Sequence, residues 1–201
     1  MTVPSPYGPV QVQLFTGAEV IRGNCHATDE RRRLGDVLNE DGNQILLGPA
    51  QVANLEGSQR AVYAELTTFK NLVRVAIPLE TPQQLESQSL YRRDLVLPQK
   101  ARVRLHVEVG SYTTEGDIHV FYTSEWKHLL APTSEGKDRL ASASSLRQFF
   151  PLTNARLWWE DQPPMEIDVL FLNREHVSGV AWLNDEVPVR SLMDLLGGLA
   201  A

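Results

Sequence analysis

Apolar and polar residues alternate along most of this chain with a period of two. Val10, Val12 and Leu14 are separated by Gln11 and Gln13, and Val103, Leu105, Val107 and Val109 by Arg104, His106 and Glu108. Successive side chains of a strand point to opposite faces, so these stretches predict half-buried β-strands. The same pattern places strands at Val20–Ala27, Ile45–Leu47, Gln51–Glu56, Glu115–Tyr122 and Ala155–Glu160. Two closing hairpins are expected, one joining Arg60–Phe69 to Leu72–Ile77 around Lys70-Asn71, the other joining Glu166–Leu172 to Glu175–Leu183 around Asn173-Arg174. Helical spacing is confined to short pieces. Thr28-Asp29 offers an N-cap before Leu34, Val37 and Leu38, and Thr81-Pro82 opens a segment running to Tyr91. Trp126, Leu129 and Leu130 share a helical face, Lys137–Arg147 reads as a helix, and Val189–Leu196 is an apolar helix stopped by Gly197-Gly198. The fold class is mainly β with short helices.

The β pattern occurs twice. Gly17 and Gly23 stand 93 positions before Gly110 and Gly116, while Leu47, Ala50 and Val52 stand 105 positions before Leu152, Ala155 and Leu157, as do Val75 and Ala76 before Val180 and Ala181. The change of offset implies one insertion in the second copy, between Val120 and Leu140. A loop lengthens at small entropic cost, whereas a strand slipped by one residue turns its core face outward. The organisation expected is a first β-barrel repeat over 9–78, a partly helical linker over 79–100, a second repeat with a helical insertion over 101–183, and a helical tail over 184–201.

Two stretches of the second copy carry a family resemblance: Val103-Arg104-Leu105 leading through a turn to Gly116, and the run Val169-Leu170-Phe171-Leu172-Asn173-Arg174-Glu175-His176-Val177. They resemble the Sm-like family of small SH3-type β-barrels, and the duplicated arrangement is similar to bacterial proteins with tandem Sm-like modules. The resemblance implies two strongly bent five-strand barrels that meet other chains through their strand edges. The family's RNA pocket uses an asparagine between the second and third strands and an Arg-Gly pair in the closing turn. Here helices replace that loop, Lys70-Asn71 occupies one closing turn, and glutamate follows Asn173-Arg174. The resemblance therefore does not carry RNA binding over. Pro4, Pro6 and Pro9 also oppose the family's leading helix.

Charge narrows the partners. The net charge is −6, with neither half basic, which disfavours an electrostatic footprint for RNA or an anionic membrane. No apolar run reaches the ~20 residues of a membrane-spanning helix, and the amino terminus lacks a secretory pattern, so a cytoplasmic protein is expected. Cys25 is the single cysteine and can form no intrachain disulfide.

No glycine-rich phosphate loop, paired-cysteine metal motif or recognisable nucleophile constellation is present, so neither an enzyme nor a cofactor is expected. One metal constellation does arise. A hairpin turn centred on Tyr112-Thr113 would set His106 opposite His119 and Glu108 opposite Asp117, with Cβ atoms ~5 Å apart, close enough for two imidazoles to share a metal ion. The same four side chains equally suit a solvated polar face. Trp126, Trp158, Trp159 and Arg174 form the aromatic and cationic signal of an interaction surface. A base-stacking platform built with Arg156 is the alternative use of those rings. The function expected is a non-enzymatic interaction or scaffold protein that contacts another protein or further copies of itself. A nucleic-acid-binding module is the first alternative and a small metal protein or enzyme the second.

Overall fold

The computed structural model describes residues 10–25, 34–79, 100–121, 148–160 and 162–183. The expectations for Trp126 and its helix, for Lys137–Arg147, for the linker helix, for the amino-terminal arm and for the tail lie outside them. In chain order the strands are β1 (Val10–Phe15), β2 (Glu19–Cys25), β3 (Gln44–Asn54), β4 (Gln59–Tyr63), β5 (Leu66–Phe69), β6 (Val75–Pro78), β7 (Lys100–Val109), β8 (Tyr112–Phe121), β9 (Phe149–Trp159), β10 (Met165–Asn173) and β11 (Val177–Trp182). A helix, α1 (Leu34–Leu38), precedes β3, and short 3-10 turns at Lys70–Leu72 and Arg174–His176 precede β6 and β11.

Period-two alternation becomes burial as expected. Val12, Leu14, Leu38, Leu47 and Ala50 belong to one fully enclosed cluster. Leu105, Val107, Leu152, Leu157 and Leu170 belong to a second. Fully burying one Leu or Val contributes about 1.5–3 kcal/mol, so each half has an apolar centre of its own.

All strands belong to one antiparallel sheet, ordered β11-β7-β8-β9-β10-β6-β1-β2-β3-β4, with β5 pairing β3 beyond the end of β4. The sheet does not close, and the two halves are joined edge to edge by β6 and β10. This differs from two separate closed barrels. Phe171 pairs with Ala76 and Leu172 with Val75, and the Asn173 amide extends the ladder by donating to the Arg74 carbonyl at 2.9 Å.

Within the sheet the same order recurs: β6-β1-β2-β3 in the first half and β11-β7-β8-β9 in the second. Register recurs too. Val12 faces Gly23, and 93 residues on in both members Leu105 faces Gly116. Ile21 faces Val52, as Thr114 faces Leu157. Each of these second pairings is interrupted at one place, between Gly23 and Cys25 and between Glu115 and Asp117. The closing strands correct the expected offset by one residue. Ala76 pairs with Leu14 and Val180 with Val107, so Ala76 corresponds to Val180, 104 positions on, and not to Ala181.

Neither closing hairpin forms. β5 pairs β3 while β6 pairs β1 and β10, and likewise β10 pairs β9 and β6 while β11 pairs β7. A tight hairpin needs positive φ at its turn. At the first corner Phe69 (φ −94) and Val73 (φ −82) flank a 3-10 turn, and at the second Asn173 (φ −80) and Val177 (φ −69) do the same, so the chain is carried across to a different strand.

The short strands expected at Ile45–Leu47 and Gln51–Glu56 are one: β3 runs through Gly48-Pro49 as a single strand of eleven residues. Residues up to Leu47 pair β5 and those from Ala50 pair β4, so Pro49 falls where its outer partner changes and no donor is needed.

Candidate interaction surfaces

Side chains from both halves converge on the β6–β10 junction. Asn173 is fully buried. Its Nδ2 donates to the carbonyls of Lys70 (3.0 Å) and Val73 (2.8 Å), and its Oδ1 accepts the Glu175 amide at 3.1 Å. His176 donates to the Asn71 carbonyl at 2.7 Å, which ties the second 3-10 turn to the first. Asn39, just after α1, acts as an extra strand residue. Its Nδ2 donates to the Phe149 carbonyl at 2.9 Å and its Oδ1 accepts the Phe149 amide at 2.8 Å.

The apolar part of the junction is aromatic. Phe15 is fully buried, its ring centroid 5.7 Å from that of Tyr112 in an edge-on contact and 5.5 Å from that of Trp159. Both partners keep their polar ends satisfied: the Tyr112 hydroxyl donates to the Thr16 carbonyl at 2.6 Å and the Trp159 indole to the Leu55 carbonyl at 3.3 Å. Gly35 lies so close to Phe171 that a Cβ there would sit 2.8 Å from the ring.

The expected metal set is not assembled. The β7–β8 turn is centred on Gly110-Ser111, where Gly110 takes φ +61 at no steric cost, rather than on Tyr112-Thr113. His106 therefore faces Glu115, Glu108 faces Thr113, Arg104 faces Asp117 and Arg102 faces His119. Asp117 is buried and already engaged by Arg104 (3.3 Å), Arg102 (3.6 Å) and the Asn154 amide (3.0 Å). His119 bonds to the Thr153 hydroxyl at 3.0 Å, and His106 lies 3.5 Å from Glu115. Among the described residues no three His, Cys, Asp or Glu side chains are placed to hold a metal ion.

The expected interaction residues divide. Trp159 belongs to the junction, while Trp158 is half-buried opposite Thr113. Arg174 turns inward, its Nε and Nη2 buried, and burial holds the guanidinium below its usual value. No protein-family model, curated protein or solved structure matches this chain.

Exposed apolar side chains gather at the ends of the sheet instead. On β4 and β5, Val62 is 59% exposed, Tyr63 43% and Phe69 45%, with Leu46 and Leu72 also exposed. Leu46 faces Thr67 and Phe69 faces Gln44, so Leu46 and Phe69 are diagonal neighbours on one face. At the other end Trp182 and Leu183 are exposed. Asn39, Asn173 and this edge patch were not picked out in sequence as site residues. The only visible signal was an asparagine at the end of an apolar run.

Two buried groups couple the fold to alkaline pH in opposite senses. Desolvation pushes the Cys25 thiol from 9.0 up to about 11, opposed by the nearby Lys70 charge and aided by Glu40. Desolvation likewise lowers the Lys70 ammonium, which donates to the Glu40 carbonyl at 2.6 Å. Between pH 9 and about 11 the unfolded chain has lost the thiol proton and the folded chain keeps it, so stability falls as pH rises. Lys70 acts in the opposite sense, because stability gained from its depressed value accrues as pH approaches 10.5. Cys25→Ala should remove a loss of roughly 2 to 3 kcal/mol at most across that window. Urea unfolding of both proteins at pH 8 and pH 11 measures it, and an unchanged pH dependence would contradict the assignment.

Proposed function

We propose that this chain is a non-enzymatic interaction or scaffold protein made of two Sm-like, SH3-type β units derived by internal duplication. Support for the duplication comes from the recurring strand order, the matched registers, an interruption within one residue of the same place in each half, and a 3-10 corner before each closing strand. β6-β1-β2-β3 with β4 and β5 outside β3, and β11-β7-β8-β9 with β10 outside β9, give each half the strands for one small bent β unit. The observation that carries the interaction reading is the β4–β5 edge. It ends the sheet, its outer backbone groups face no other described strand, and it displays Val62, Tyr63 and Phe69. Apolar side chains beside an unpaired edge are how a sheet accepts a segment of another protein.

The test is capture from native lysate with wild type and with a Val62→Lys, Phe69→Lys variant. Both residues are exposed, so the substitutions should leave unfolding within about 0.5 kcal/mol of wild type. A protein retained by wild type and lost by the variant supports the reading. Equal retention by both, or nucleic acid recovered in its place, contradicts it.

A further inference from the structure

The repeated registers allow each residue of the inner junction to be compared with its counterpart at an outer edge. On the first-half side the junction inserts Phe15, Val75 and Ile77 into the second core. Their counterparts on β7 and β11 are Glu108, Gly179 and Ala181. On the second-half side Phe149 enters the first core, Phe171 packs against it, and Trp159 meets Phe15. The counterparts of Phe149, Phe171 and Trp159 on β3 and β5 are Gln44, Thr67 and Asn54. Glu108, Ala181, Gln44 and Thr67 are all exposed.

We infer that the β6–β10 junction is a single-use contact, and that both outer edges are built to refuse a second copy of this chain. A head-to-tail contact between identical chains leaves a free edge at each end and continues into a ring or an open filament. Repeating the inner junction outside would bury Glu108 where Phe15 stands inside, with no partner for its charge, and would leave the volumes of Val75 and Ile77 unfilled at Gly179 and Ala181. The polar and small residues give the same edges specificity by repulsion and by loss of packing. The partner in the interaction reading is therefore a different protein, and this inference rests on the registers and not on that reading.

Two measurements test it. Light scattering of wild type across a wide concentration range should return the mass of one chain, 22.5 kDa. A variant carrying Glu108→Phe and Ala181→Ile on one edge with Gln44→Phe and Thr67→Phe on the other should form oligomers that grow with concentration. Each two-substitution variant alone should stay single, because a heterologous contact needs both edges. Wild-type oligomers in which β5 and β11 amides become protected from hydrogen exchange would overturn the inference. So would a four-substitution variant that melts cooperatively yet stays single; should that variant not fold, the wild-type exchange result decides alone. A single chain that captures no other protein would leave this inference standing and remove the interaction reading.

Discussion

Asn173→Ala is expected to destabilise the whole chain by about 2 to 4 kcal/mol, because the buried Val73 carbonyl and the part-buried Glu175 amide lose a partner, the Lys70 carbonyl is left with the Val73 amide alone, and each unsatisfied group costs roughly 1–3 kcal/mol. The Lys70 and Val73 carbonyls lose a donor and the Glu175 amide loses an acceptor. Two of the three lie in the opposite half, so the damage falls on the joint. Asn173→Asp retains the acceptor and removes both donors, and should recover little. Urea unfolding followed by circular dichroism measures both variants. A loss below about 1 kcal/mol for Asn173→Ala would mean that water or a neighbouring side chain replaces the amide.

Phe15→Ala should cost about 3–5 kcal/mol, the range for deleting a buried aromatic ring. Phe15 contributes to the second core from a strand of the first half, so its loss opens space beside Tyr112 and Trp159. The Trp159 environment should change with it, which fluorescence reports separately from stability. Phe15→Leu fills most of the space and should be the milder variant. Equal costs for Leu and Ala would place the effect in ring geometry instead of volume.

Much of the strand pattern was legible because alternation is a local property. β1 begins with the alternating run at Val10, β7 ends with its run at Val109, and β11 starts two residues later and ends one residue earlier than the expected Glu175–Leu183. The recurrence of Gly23 at Gly116 and of Ala50 at Ala155 was also visible. Partner choice was not. Lys70-Asn71 and Asn173-Arg174 look like hairpin turns in composition, and only the backbone angles around them show that each strand leaves for a different neighbour. The expected pairing of His106 with His119 differs for the same reason: placing the β7–β8 turn two residues late moved His106 from Glu115 to His119. Asn39 and Asn173 were hidden because each serves backbone groups some 100 residues away. No spacing rule within one strand reports such a partner.

The chain carries its own probes for the claim that the halves are one cooperative body. Cys25 is buried in the first core, and all four tryptophans follow residue 121. Denaturant unfolding read in parallel by Cys25 modification and by tryptophan fluorescence tests the joint directly. Coincident midpoints in wild type are the expected result. Two separated transitions, with Cys25 exposed while the tryptophan signal is still native or the reverse, would contradict it.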